Sequence, residues 1–298
     1  MQPEIYREVE FTSREDWLEK RTQSLTLGSS DLPIILGLTT WSSRVRLYAE
    51  KLGQMPGIQD NAKLQMGRRM EPVILEMALE ALEGAGQDVQ GGGLDGRFLV
   101  STVHPWASAT LDAWVQLGED RYTVEVKNTD RWESWAEGPP DAYVCQCQHQ
   151  MLVTGAPRML LVVLIRGWDL KWCWIERAQE YLEQVHIPNG VEFHRQLVER
   201  ELPPVDPSDE TRAALAKLYP NSVPGVEIAL GGEWIDLDLE LVQAEEIAAA
   251  AQARADETKN RLRALMAEAE AARIPNGVLW TYKGKNGRRQ LRRYDAQS

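Results

Sequence analysis

Cysteine is scarce in this 298-residue chain: only Cys145, Cys147 and Cys173 occur. So small and odd a number excludes a disulfide framework. Cys145 and Cys147 form a C-x-C pair in a helical-looking segment, which is not the C-x-x-C spacing of zinc sites. The four histidines, His104, His149, His186 and His194, are scattered without ligand spacing. No apolar run approaches the roughly 18 residues of a membrane span. The opening MQPEIYREVEF lacks the charged-then-apolar pattern of a secretory leader. These absences lead us to expect a cytoplasmic protein without membrane contact. Positive charge is also in deficit: 33 Lys and Arg face 45 Asp and Glu, for a net charge of −12. The average hides a polarity, because from Arg273 onward seven basic residues face one acidic residue, Asp295. Local patches attract phosphates, not totals.

What is present divides the chain in three. Residues 1–200 mix helical and strand patterns, 201–237 begin with a Pro- and Asp-rich connector, and 238–298 hold an Ala/Glu/Arg-rich helix followed by a basic hairpin. Helices are expected at about 14–27, 32–36, 43–52 and 65–82, where Ile74, Met77, Ala78 and Ala81 recur at helical spacing. A further helix is expected at about 141–153, closed by Gly155, and another within 177–200. Gly91-Gly92-Gly93 reads as a turn. Strands are expected at 97–102, 107–116, 121–127, 158–165 and 171–176, with Leu117-Gly118-Glu119-Asp120 turning between the second and third. Asn286-Gly287 marks a hairpin within Val278–Tyr294.

One constellation carries chemistry: Asp112, then Glu125-Val126-Lys127. Side chains alternate along a strand, so Glu125 and Lys127 share a face, and a tight turn brings Asp112 toward Glu125. Two carboxylates make a hard oxygen site suited to Mg²⁺ or Mn²⁺. Such an ion polarises a phosphate and acidifies a bound water, while Lys127 orients that water. The plainer reading is an exposed, salt-bridged strand edge. The neighbours weigh against it. Glu71 lies on a helix within Met66-Gly67-Arg68-Arg69-Met70-Glu71-Pro72, and Tyr143, Gln146 and Gln150 share one face of another.

Taken in order, Trp17 with Arg21, Gly28-Ser29-Ser30-Asp31, Trp41-Ser42-Ser43, Gly67 with Glu71, Thr110-Leu111-Asp112, Glu125-Val126-Lys127 and Tyr143-x-x-Gln146-x-Gln148 resemble the YqaJ-like viral recombinases. These are relatives of the phage lambda exonuclease within the PD-(D/E)xK nucleases, and the resemblance covers about residues 14–176. It implies an α/β (α+β) protein with a restriction-endonuclease-like core, a central mixed sheet flanked by helices, and a C-terminal helix-plus-hairpin extension. It implies Asp112, Glu125, the Val126 carbonyl and Glu71 as metal ligands for one or two Mg²⁺ or Mn²⁺ ions. Lys127 would position the water, and Gln146 would hold Lys127 or the phosphate. Ser30 and Arg21 would contact the terminal phosphate of DNA, with Arg44 or Arg46 as alternatives. Thr110, Tyr143, Lys283, Lys285, Arg288 and Arg289 complete the expected DNA contacts. Leu111 departs from the family's proline, and Thr110 from its serine.

The implied function is a 5′-to-3′ exonuclease on linear duplex DNA in a bacterial host cell. It would generate single strand for an annealing protein in phage-type recombination, and family relatives form homo-oligomeric rings. Alternatives are a DNA-end-binding protein without catalysis and a PD-(D/E)xK endonuclease of another repair or defence system. An iron–sulfur nuclease needs four cysteine ligands, one more than the chain has. Plainer roles exist residue by residue: Glu71 as a solvated helix residue, Gln146 as a backbone partner, Ser30 as a helix cap, Thr110 as strand structure, and Trp41 as core.

Overall fold

Residues Arg158–Ile165 read RMLLVVLI, seven apolar side chains without a polar break. A strand of that kind needs cover on both faces, and the architecture supplies it. The computed structural model describes residues 5–57, 61–131, 135, 137–229, 231–285 and 288–295. They fall into two units, Met1–Ser222 and Val223–Ser298. In the first unit the order is β1 (Tyr6–Glu8), α1 (Arg14–Gln23), α2 (Leu32–Ile35), α3 (Arg44–Lys51), α4 (Ala62–Gly84), β2 (Val89–Leu94), β3 (Phe98–Ser101), β4 (Ser108–Thr110), β5 (Ala113–Leu117) and β6 (Asp120–Thr129). There follow α5 (Asp141–Thr154), β7 (Arg158–Ile165), β8 (Asp169–Glu176), α6 (Gln179–Tyr181), a π turn at Leu182–His186, α7 (Ile187–Glu199) and α8 (Asp209–Leu218).

Five strands form the main sheet in the order β2-β5-β6-β7-β8, and β1-β3-β4 form a smaller one. Only the β6–β7 pair of the main sheet is parallel. The two faces of β7 then serve two cores. Leu160, Val162 and Leu164 cluster with Ile74, Leu75, Ala78 and Leu82 of α4. Met159, Leu161, Val163 and Ile165 cluster with Cys147 and Met151 of α5. A third core joins α2, α5 and α7 to the small sheet through Leu32, Ile35, Leu99, Trp106 and Phe193. The mixed α/β class, with a central mixed sheet between helices, is as expected.

Two local readings need correction. Gly91-Gly92-Gly93 is not a turn but part of β2. A Cβ on Gly92 would stand 2.9 Å from Leu79 of α4 and 3.0 Å from the Trp114 carbonyl, so glycine admits close helix-on-strand packing there. Residues 107–116 are not one strand either. They break at Leu111-Asp112, with β4 in the small sheet and β5 in the main one. Within the segment read as a connector, α8 packs on α3, with Arg46 ion-paired to Glu210.

Two of the histidines, His149 and His186, meet in space. The carbonyls of Leu27 and Ser108 can only accept, so His149 donates Nε2–H to them at 3.1 Å each. Its Nδ1 then accepts from Nε2–H of His186, 2.9 Å away. Both rings are fully buried. Burial pushes His149 down to about 4, and burial with its neighbour pushes His186 down to about 2.

In the second unit, α9 (Gly232–Met266) precedes a three-stranded sheet ordered β11-β10-β9, with β9 (Ala271–Arg273), β10 (Leu279–Lys285) and β11 (Arg288–Tyr294). The hairpin expected around Asn286-Gly287 is present as the β10–β11 pair, although those two residues lie outside the described set. Among the described residues no helix is long and apolar enough to cross a membrane.

Two outcomes are expected. A Cβ on Gly190 in α7 would lie 2.4 Å from the Trp106 ring. Overpacking of about 1–3 kcal/mol outweighs a helix-propensity gain of at most about 1 kcal/mol, so Gly190→Ala should lower the thermal unfolding midpoint. The histidine pair binds protons in the unfolded chain below about pH 6.5 but stays neutral when folded. Stability measured by urea unfolding should therefore fall as pH drops from 6.5 toward 4, and His149→Gln should flatten that slope.

Candidate active site

The break at Leu111-Asp112 positions the site. Leu111 is buried, and its N–H donates to the Arg97 carbonyl, a bond that a proline in that place would forfeit. From Ala113 onward the chain pairs with β6: Ala113 faces Val124, and Leu117 faces Asp120 across a two-residue loop with Gly118 at φ +55°. That loop fixes the register. One step further sets Asp112 opposite Glu125, and Asp112 Oδ2 accepts from the Val126 N–H at 3.0 Å.

Val124 and Val126 belong to the α4-side core, which leaves Glu125 and Lys127 on the other face of β6. Glu125 is fully buried. Its Oε1 pairs with the Lys127 ammonium and accepts from Nε2 of Gln146, and its Oε2 accepts from Nε2 of Gln150. The Lys127 ammonium lies 5.2 Å from the centre of the Tyr143 ring, which stacks on Trp135. Gln146 therefore holds Glu125 and not Lys127. Gln150, one helical turn on from Gln146, received no role in the sequence reading; its signal was the i, i+4 spacing on α5. Gln148 turns elsewhere, donating to the Glu176 carbonyl and accepting from the Ala178 N–H.

Glu71 comes from α4, immediately before Pro72, which has no N–H to close the turn onto residue 68. Burial and the charge of Glu125 raise its pKa. Burial and the charges of Glu125 and Glu71 hold Asp112 well above the usual carboxylate range, although Lys127 and the Val126 N–H pull the other way. Burial pulls the pKa of Lys127 down, but Glu125 and Asp112 outweigh burial and raise it. Lys127 is thus a fixed cation. Among the described residues no three His, Cys, Asp or Glu side chains already form a metal cage. The donor set still fits a hard divalent cation, because crowded carboxylates that favour protons over charge are relieved by one.

A cleft of about 590 Å³ opens on this cluster, with Glu71, Asp112 and Gln146 on its wall and Arg14, Arg21 and Arg68 around it. A neighbouring hollow of about 350 Å³ shares Arg68 and Glu71 and reaches Lys127. Arg21 donates to Ser30 Oγ at 3.2 Å and lies beside Asp31 at 3.4 Å, so the structure brings Arg21 and Ser30 together on the cleft. Asp31 does not cap α2 with its side chain. It accepts from the Gly28 N–H and pairs with buried Lys51 at 2.6 Å. Thr110 Oγ1 accepts from the Trp17 indole at 3.2 Å, which fixes an aromatic wall beside the carboxylates.

Two other expected contacts of the first unit do not line this cleft. Arg44 donates to the Ile35 carbonyl and lines a different cavity with Asp206. Arg46 pairs with Glu50 and Glu210. In the second unit, Arg289 stacks on Tyr282 and donates to the carbonyls of Ala267 and Ala269, so its guanidinium ties the hairpin to the end of α9. Lys283 lies 3.9 Å from Glu270, Arg288 is exposed, and the side chain of Lys285 is outside the described set.

Because Asp112 is held above the usual carboxylate range by burial and like charge, neutralising it should stabilise the fold. Asp112→Asn keeps an acceptor for Val126 and removes the repulsion. Unfolding free energy is expected to rise; an unchanged or lower value in chemical denaturation would count against this electrostatic picture.

The model of the YqaJ-like viral recombinase domain matches residues 16–157. The uncharacterized protein YqaJ of Bacillus subtilis (strain 168) is 25% identical over 273 residues, covering 89% of this chain and 82% of that protein. Among solved structures, the chain is similar to an alkaline exonuclease (LHK-Exo) from Laribacter hongkongensis, at 19% identity and a TM-score of 0.46 over 68% of this chain and 99% of that one. The same enzyme in complex with dAMP scores 0.47 at 19% identity, over 67% and 99% of the two chains. The match to the YqaJ-like viral recombinase domain spans every acidic residue of the cluster, Lys127 and both glutamines of α5 that clamp Glu125.

Proposed function

We infer that the chain is a deoxyribonuclease, and we propose that it is a divalent-metal-dependent exonuclease acting from the 5′ end of linear duplex DNA. The observation that carries this reading is the meeting of Glu71 and Asp112 on the wall of a cleft lined by basic and aromatic side chains, beside buried Glu125 and its partner Lys127, which lines the adjoining hollow. The match of residues 16–157 to the YqaJ-like viral recombinase domain supports it. Asp112, Glu125, Glu71 and the Val126 carbonyl would hold Mg²⁺ or Mn²⁺. When bound, such an ion supplies Lewis-acid polarisation of the scissile phosphate and an acidified water.

The protein's own groups do the rest. Lys127, kept protonated by Glu125 and Asp112, donates hydrogen bonds; it orients the attacking water and offsets charge that grows on the phosphate as the P–O3′ bond breaks. It is not a base. Gln146 and Gln150 hold Glu125 in one rotamer. Arg21 with Ser30, on the same cleft, suits the terminal phosphate of the strand, and the Trp17 wall suits the adjoining nucleotide. The single strand left behind would pass to an annealing protein in phage-type recombination within a bacterial cytoplasm, and a homo-oligomeric ring around the duplex would keep the enzyme on its track.

Linear duplex labelled at either 5′ or 3′ end tests this directly. With Mg²⁺, release of label from the 5′ end is expected. Addition of a chelator should stop it, and Lys127→Ala should slow it by about 10²-fold or more at unchanged fold. Undiminished activity in Lys127→Ala would remove the lysine from the mechanism, and internal cuts in closed circular DNA would replace the exonuclease reading with an endonuclease.

A further inference from the structure

Glu125 has two oxygens, and only one of them faces partners that the sequence motifs announce. Oε1 is taken by Lys127 and Gln146. Oε2 is held by Gln150, a fully buried residue flanked on α5 by Met151, Leu152 and Val153. The carbonyl oxygen of the same Gln150 amide is buried with no hydrogen-bond partner. A buried orphan acceptor is unfavourable, and an apolar side chain of similar length would avoid it. Packing alone therefore disfavours glutamine at this position. What glutamine supplies, and an apolar residue cannot, is the N–H that reaches Oε2.

We propose that Gln150 is a positioning residue of the metal centre: it fixes the second oxygen of Glu125, sets the rotamer in which that carboxylate meets a divalent cation, and so sets cation affinity. The inference rests on the nuclease reading and adds to it a residue one turn beyond Gln146. The physical ground is general. A ligating carboxylate that is itself hydrogen-bonded keeps its orientation without reorganising when the ion arrives, and groups that hold ligands in this way tune affinity as strongly as many ligands do. The two glutamines act on different oxygens, so neither substitutes for the other.

The test is Mn²⁺ binding to the full chain, followed by the electron paramagnetic resonance signal of free Mn²⁺, with no DNA and no turnover. Gln150→Met keeps length and apolar bulk but has no donor. Gln150→Asn keeps the amide but stops one methylene short, and its smaller size suits it to folding if the methionine variant does not fold. Each folded variant is expected to bind Mn²⁺ about tenfold more weakly or worse, with nuclease activity recovering toward the wild-type maximum at raised Mn²⁺. Gln148→Met, which disturbs the same helix but has no bond to Glu125, is expected to lose thermal stability and keep its Mn²⁺ affinity. A smaller loss than tenfold in a folded Gln150 variant, or an equal loss in Gln148→Met, overturns the proposal while leaving the nuclease reading intact. A wild-type chain that takes up no Mn²⁺ overturns that reading, and this proposal with it.

Discussion

A carboxylate buried in the middle of an apolar sheet is the constraint around which the first unit is arranged. Glu125 sits between Val124 and Val126 on a strand whose neighbour, β7, is apolar on both faces. An isolated carboxylate there would be prohibitively unfavourable. It is tolerated because every oxygen is engaged, by an ammonium two residues along the same strand and by two amides one turn apart on α5. The requirement propagates outward. It demands a helix of the right phase against that face of the sheet, and a lysine that stays charged. It also demands that the other face of the sheet be sealed by α4.

The same arrangement shows why the other two carboxylates stand in tension. Asp112 and Glu71 receive less help than Glu125 and are pushed toward their protonated forms by burial and by the charge of Glu125. A fold built only for stability would replace one of them. Retaining all three keeps a concentrated negative field at one point, offset by Lys127 beside it and by Arg14, Arg21 and Arg68 across the cleft. That division of charge lets a protein of net charge −12 present a surface that a phosphate backbone can approach.

Much of this was legible before the structure, and the exceptions have physical causes. The strands, their turn and the Glu125-x-Lys127 alternation follow from periods of two and from Gly118, all local effects. The face of α5 followed from helical spacing. Long-range packing was not legible. Gly91-Gly92-Gly93 looked like a turn because glycine's commonest use is local, whereas here Leu79 of a distant helix requires it. Residues 107–116 looked like one strand because apolar and polar side chains alternate through Leu111 and beyond, whereas backbone bonds with Asp95, Gly96 and Arg97 divide it. Arg44 and Arg289 looked available for phosphate because charge is visible in sequence, and their engagement with carbonyl oxygens is not. His149 and His186 meet only because α5 and the π turn are brought together.

The seam at Leu111-Asp112 has one more consequence. A ligand in the middle of a strand inherits its place from one sheet, and small errors in that sheet are shared among many bonds. Asp112 stands where custody passes from the small sheet to the large one, its main chain tied to Asp95 and its side chain to Val126. Its two chain neighbours answer to different sheets: Leu111 is bonded to Arg97 at the foot of β3, and Ala113 pairs with Val124 of β6. Phe98, which pairs with Thr110 two residues before Asp112 and lines the same cleft, therefore bears on its place along with β6. The tolerance for substitution in the small sheet is set by the reacting geometry and not by how much apolar surface that sheet hides.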